Sequence, residues 1–154
     1  ENTLAFPTLN DVNAAATGGY ISAGIYNAAG AYPELNNVTS IGSSAQYTFG
    51  IHNVDAGAEI RESTIRADTG VFQSGIYNEW DDFPGVYVVT VEQSQIDLAD
   101  KTQPTIYIDE NFVVYVGASR LGGGPVDIAP GGWVRCYGCY DEFYQNVGGI
   151  EACP

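Results

Sequence analysis

Apolar residues in this chain come in short bursts of alternation and never in long runs. Leu35-x-x-Val38, Ile60-x-x-Ser63-x-Ile65 and Val89-x-Val91 place apolar, mostly β-branched residues two or three apart, and Gly, Asn and Pro break the bursts. That is strand periodicity. Only Asn10 to Ala16 could pass for a helix by spacing, and its alignment with the other bursts makes it strand as well.

The bursts repeat. "PTLNDVNAA" (7–15), "PELNNVTSI" (33–41), "AEIRESTIR" (58–66), "VTVEQSQID" (89–97) and "VYVGASRLG" (114–122) align so that Leu9, Leu35, Ile60, Val91 and Val116 are equivalent. The steps between them are 26, 25, 31 and 25, and about six extra residues near "EWDDFP" (79–84) explain the long one. A second phrase recurs with the same period: "GIYN" (24–27), "GIHN" (50–53) and "GIYN" (75–78), with "TIYI" (105–108) as a degenerate fourth copy. A fixed period of this length is the mark of a solenoid. Coils of about 25 residues built from short strands stack in parallel about 4.8 Å apart. The expected fold is therefore all-β, a single-domain parallel β-helix, right-handed because parallel crossovers are. It has about five coils over residues 1–132 and a cysteine-containing C-terminal cap or tail over 133–154.

The second phrase then acquires positions. Ile25, Ile51, Ile76 and Ile106 are expected in one interior column, with Tyr26, His52, Tyr77 and Tyr107 alternating outward beside them. Asn27, Asn53 and Asn78 are expected at a turn, where Asn tolerates the left-handed conformation and its amide can bond to the next coil. Gly24, Gly50 and Gly75 suggest close backbone approach at a corner. Ile108 or Asp109 replaces the Asn in the fourth copy, so the ladder should end there.

Together these segments resemble the short β-helix repeats of exported bacterial proteins, among them large adhesin-like and tail-fibre-like proteins. Those repeats carry Gly-Ile/Val-Tyr-Asn, a turn, and a Pro-Thr-Ile/Leu-x-Asn stretch. "TIYIDENFVVYVGASRLGGGPV" (105–126) is similar to the family's closing coil, and "WVRCYGCYDEFYQNV" (133–147) to its terminator. The resemblance implies the fold and a secreted, extracellular or cell-surface location in a bacterium. It implies no activity. Cys139 and the tail with Cys153 depart from the pattern.

Charge narrows the partners. With 19 acidic and 5 basic residues the formal charge is −14, which opposes nucleic acid and anionic membrane surfaces. No run of 18 apolar residues is present, so no membrane-spanning helix is expected. The sequence opens at Glu1 rather than Met, which reads as a processed product. Cys136, Cys139 and Cys153 are disulfide candidates, with Cys153 pinning the tail to one of the other two. Cys136-x-x-Cys139 lacks the further ligands a zinc site wants, so no metal is expected there.

Enzymatic candidates are weak. Asp81 and Asp82 are the best carboxylate pair for glycoside hydrolysis, but neighbours on a strand point to opposite faces. Arg61 and Arg66 lack an evident acidic cluster for lyase chemistry, and a rod of roughly 25 Å is short for a substrate groove. No cofactor is expected. Calcium at Glu79–Asp82 or Asp109-Glu110 matches no defined loop. Asn37-Val38-Thr39 reads as a glycosylation sequon, but the repeat already explains its residues. His52 is a tyrosine replacement in a column rather than a catalytic base.

Two functions follow. The first is an exported structural subunit, a head-to-tail homopolymer forming an extracellular filament, because "LAFPTLNDV" begins partway through a coil and leaves its edge uncapped. Leu4, Phe6 and Leu9 would meet Trp133, Tyr140 and Phe143 of the next copy. The second is a glycan- or surface-binding module of a larger adhesin, using Trp80, Asp81, Asp82 and Phe83 of the insert or the Tyr26, Tyr77 and Tyr107 column. A polysaccharide-degrading enzyme stands third.

Overall fold

The computed structural model describes residues 2–3, 5–141 and 143. Leu4 and Cys153, assigned above to the assembly face and the disulfide, lie outside the described residues. Every regular element among the described residues is a strand. In chain order they are β1 (Asn2–Thr3), β2 (Thr8–Asn10), β3 (Asn13–Thr17), β4 (Ile21–Ala28), β5 (Glu34–Asn36), β6 (Thr39–Val54), β7 (Ala58–Arg61) and β8 (Thr64–Glu79). They continue with β9 (Tyr87–Glu92), β10 (Gln95–Leu98), β11 (Ile106–Ile108), β12 (Phe112–Gly117), β13 (Arg120–Gly122), β14 (Val126–Ile128) and β15 (Trp133–Tyr137).

These strands form two sheets in which every pairing is parallel. The smaller runs β2-β5-β7-β9-β12-β15. Its register joins Leu9, Leu35, Ile60, Val91 and Val116 rung to rung, as the repeat alignment predicts, and adds Cys136 opposite Val116. The segment expected as a cap therefore opens with a sixth rung. The larger sheet follows β1-β4-β6-β8-β10-β13, with β3 beside β6, β11 beside β8 and β14 beside β11. Here Ile25, Ile51, Ile76 and Ile106 stack in register, and all four are buried. Parallel strands buried by their neighbours select β-branched apolar residues, which these columns supply.

Between the two sheets each rung turns a sharp corner through one left-handed residue. Asp11, Asn37, Glu62, Gln93, Ala118 and Gly138 all have φ between 45° and 65°. The residue two before the corner and the residue one after it point inward, as Leu35 and Val38 do about Asn37, so inward positions lie three apart. Beyond the corner the inward column runs Val12, Val38, Ser63, Ser94, Ser119, Cys139. The backbone N–H of Val38, Ser63 and Ser94 each donates to the serine hydroxyl of the following rung, at 3.0, 3.1 and 3.2 Å.

The expected left-handed Asn turn is corrected by this geometry. Asn27, Asn53 and Asn78 sit within extended strands, and none has positive φ. They are fully buried, and their amides form the expected ladder. Asn27 Nδ2 donates to Asn53 Oδ1 and Asn53 Nδ2 to Asn78 Oδ1, both at 2.8 Å. Asn78 Nδ2 ends the series on the Tyr107 carbonyl at 2.9 Å, because Ile108 occupies the next place in register. A buried amide needs a partner at a fixed height, which a straight ladder supplies and a corner would not.

β6 and β8 each run for 16 residues and fold back on themselves, with Ser44 and Thr69 left-handed at the bend. The two legs of β6 lie so close that Ser40 Oγ donates to the Gly50 carbonyl at 2.7 Å. A Cβ on Gly42 would stand 2.1 Å from the Phe49 carbonyl oxygen. Gly50 likewise has no room, since a Cβ there would meet the Ile65 side chain at 2.4 Å. A Cβ on Gly24 or Gly75 would likewise collide, with Ser40 and Ile96, so the three glycines of the repeat phrase serve close approach, as expected, and Gly42 adds a fourth.

Candidate functional site, an aromatic groove on the larger sheet

Two neighbouring strands of the larger sheet, β6 and β8, carry aromatic residues on both sides of the Gly-Ile step. Tyr26 on β4, His52 on β6, Tyr77 on β8 and Tyr107 on β11 form the expected outward column. A second row precedes the glycines: Ile21, Tyr47 and Phe72 are in register, with Phe49 two residues after Tyr47. Gly-Ile places two inward residues in succession, so the strand bends there and the outer surface becomes concave. The two rows converge across that bend.

Their rings are in contact. Phe49 stacks on Tyr77 at 4.5 Å and 13°, and Tyr77 stacks on Tyr107 at 4.7 Å and 15°. His52 is met edge-on by Tyr26 at 5.2 Å and by Tyr77 at 5.4 Å. Tyr20 meets Tyr47 at 5.2 Å. Offset and edge-on aromatic pairs at these separations each add about 0.5–1.5 kcal/mol beyond burial. The column is consequently not a bare surface stripe. His52 is 4% exposed, and Tyr26, Tyr77 and Tyr107 are half-buried.

The convergence leaves a depression of about 290 Å³ whose floor and walls include Tyr20, Tyr47, Phe49, His52, Tyr77 and Glu79. Its polar centre is the pair His52 Nε2–Glu79 Oε2 at 2.8 Å. That hydrogen bond holds the Glu79 carboxyl below its ordinary range despite partial burial. His52 Nδ1 is buried without a hydrogen-bond partner. Tyr77 is pushed up to about 12, first by burial and then by the nearby Glu79, Tyr107 and Asp109. Tyr107 is also raised, chiefly by burial. The lining of the groove includes no lysine or arginine.

The insert behaves differently. Asp55, 4% exposed, accepts the backbone N–H of Asp81 at 2.9 Å and of Phe83 at 3.3 Å, and Asp109 accepts that of Trp80 at 3.3 Å. Trp80 packs against the core, and its indole N–H donates to the Phe83 carbonyl. Phe83 stays 44% exposed, and Asp81 and Asp82 face solvent. Trp80 thus folds back on the wall while Phe83 remains available.

On the proposed assembly face, Phe6 is 78% exposed and Leu9 is half-buried against the core. At the far end Trp133 and Phe143 are exposed, and Tyr140 bridges to Arg120. Cys139 is a free, buried thiol whose ionisation is opposed by that burial. Its sulfur occupies the serine column and donates to the Val116 carbonyl at 3.4 Å. The Cys-x-x-Cys spacing is thus the repeat's own interval between inward positions on either side of a corner.

Arg61 lies beside Glu59 and Glu92, Arg66 beside Asp68, and Arg120 clasps Asp97 at 2.7 Å. Carboxylates do occupy neighbouring rungs around these cations, through Glu92 for Arg61 and Asp97 in register with Arg66. Among the described residues no group of three or more His, Cys, Asp or Glu side chains could hold a metal ion. None of the described residues forms a helix long and apolar enough to cross a membrane.

Tyr20, Tyr47, Phe49 and Phe72 lie outside the repeat phrases, which begin at each glycine. Extending the phrase backwards gives Tyr47 and Phe72, each three residues before its glycine, so a signal was present. What it lacked was the bend that brings the two rows together. Compared with known proteins, the chain matches no family model, no curated protein and no solved structure.

Proposed function

We propose that the chain is a right-handed parallel β-helix that serves as an exported structural subunit and stacks end to end into an extracellular filament. The single observation that carries this reading is the state of the first rung. Its inward residues Leu9, Val12 and Ala14 are half-exposed, whereas Leu35, Val38 and Ser40 one rung further in are 0–2% exposed. Among the described residues, β2 and β3 have a partner strand on one side only. An edge of in-register strands with half-covered apolar side chains is a template for another rung. A second copy of the chain, presenting Trp133, Tyr140 and Phe143, supplies one, and a heterologous contact of this kind propagates without closing. In this reading Cys136 pairs with Cys153 and holds the C-terminal segment to the last rung. Cys136 is fully buried on the last rung, and Cys139 is free. Right-handedness rests on the strong bias of parallel crossovers.

Negative-stain microscopy and sedimentation across a concentration series test the proposal. Regular filaments, lost in Leu9→Asp with the fold retained, are expected. A chain that remains monomeric at the highest attainable concentration would refute it.

A second reading, a saccharide-binding module of an adhesin, draws on the aromatic groove. Rings lining a shallow polar-centred depression provide faces on which sugar rings stack.

A further inference from the structure

The distribution of charge carries a further inference, which rests on the filament reading above. The chain has 19 acidic side chains against 5 basic ones, a formal charge of −14. Most of the cations are matched locally. Arg61 lies against Glu59 and Glu92, Arg66 against Asp68 and Arg120 against Asp97. Lys101 turns its ammonium onto the Gly122 carbonyl at 2.6 Å. The carboxylates left over are spread along the whole axis. From the first rung to the fifth, Asp11, Glu34, Glu62, Glu110 and Asp127 all face solvent. Among the described residues none of these five has a cation within ion-pair distance.

The smaller sheet stacks six rungs. At about 4.8 Å each they give a subunit repeat of about 29 Å. In a filament the net charge of −14 per copy is then about one charge per 2 Å of axis. Duplex DNA, with one charge per about 1.7 Å, is dense enough to hold a condensed layer of counterions.

We propose that the filament is a polyanion whose growth is governed by counterions, and that the partner its shaft takes is a small multivalent cation of the polyamine kind, held by the field of the whole rod rather than by coordination. The junction between copies requires it. Each added subunit brings its net negative charge against a like-charged end, while the attraction comes from short-range contact of partly buried side chains such as Leu9 and Val12. Repulsion reaches about 30 Å at 10 mM salt, a full subunit, and about 8 Å at 150 mM, less than two rungs. Among the described residues no three His, Cys, Asp or Glu side chains converge to hold a metal ion. Valence should therefore decide the response, and the identity of the ion should not.

The test measures the critical concentration for assembly of the full chain by sedimentation, with negative-stain microscopy to identify filaments. That concentration should fall at least about tenfold between 10 and 150 mM NaCl. At the lower salt, spermidine and hexaamminecobalt(III), both trivalent, should restore assembly at far lower ion concentration than magnesium or calcium, which should act alike. Hexaamminecobalt(III) keeps its ammonia ligands, so carboxylates cannot coordinate its metal. A variant carrying Glu34→Gln, Glu62→Gln and Asp127→Asn removes three exposed negative charges, and Gln93 already occupies the corner equivalent to Glu62. It should assemble at lower salt than the parent, with the fold retained by circular dichroism.

Equal critical concentrations at low and high salt would overturn the inference and leave the filament reading standing. Growth driven by calcium, and not by magnesium or the trivalent ions, would replace the diffuse cation with a coordinated one and overturn it as well. Absence of filaments in every condition, trivalent cations included, would overturn both.

Discussion

Two inward columns run side by side through the same rungs and hold them together differently. Leu35, Ile60, Val91 and Val116 stack aliphatic on aliphatic. Three residues further along, across the left-handed corner, Ser63, Ser94 and Ser119 carry a hydrogen-bonded ladder, and Asn27, Asn53 and Asn78 carry another in the larger sheet. Aliphatic contact is non-directional and varies smoothly with area. A buried amide or hydroxyl is satisfied only by the partner one rung away, so a slip of one residue leaves it unmet. The aliphatic column supplies most of the cohesion, and the polar ladders fix the register.

That division can be broken by substitution. Asn53→Leu is of similar size and more apolar, yet it strands the Asn27 donor and the Asn78 acceptor. We expect a loss of about 2–5 kcal/mol in chemical denaturation. Ser94→Ala should cost less, about 1–3 kcal/mol, since it leaves one buried N–H, that of Ser63, without its acceptor. Ile60→Val, which removes one methylene at a fully buried site, should cost about 0.5–1.5 kcal/mol. If Ile60→Val proves more damaging than Asn53→Leu, the ladders are incidental and the comparison fails.

Tyr77 gives a smaller effect with a defined sign. Its folded-state value is raised to about 12, above the ordinary phenol near 10, so its contribution is complete below about pH 10 and is lost as the pH climbs toward 12. Stability measured against pH should fall across that window, and Tyr77→Phe should flatten the decline. The smallest change is expected from Cys139→Ser. Cys139 accepts the Ser119 backbone N–H and donates to Val116, much as the serines of its column bond to their neighbours. Serine makes the same two hydrogen bonds there and should cost about 1 kcal/mol or less. The free buried thiol itself should react with a disulfide reagent only on unfolding.

Much of this was legible in the chain. The equivalences Leu9 to Val116 and Ile25 to Ile106 hold in every pairing, as does the amide ladder and its end at Ile108. The left-handed residues were misplaced for an understandable reason. Asn favours that conformation in general, but in this chain the corner falls at Asp11, Asn37 and Glu62, whose identities vary too much to announce it. The fold-back of Trp80 is not legible in the chain because it depends on Asp55 and Asp109, which lie 25 and 29 residues away.

What the sequence by itself determined is which residues share a column, because each repeat states the same local alternation and stacking copies it upward. What only the tertiary structure decided is which columns face one another. Tyr20, Tyr47 and Phe49 meet His52, Tyr77 and Glu79 because each rung bends at Gly-Ile, and Ser40 meets Gly50 because β6 folds back at Ser44. Those angles are set by the packing of opposing legs around small residues. The repeat period carries no record of them.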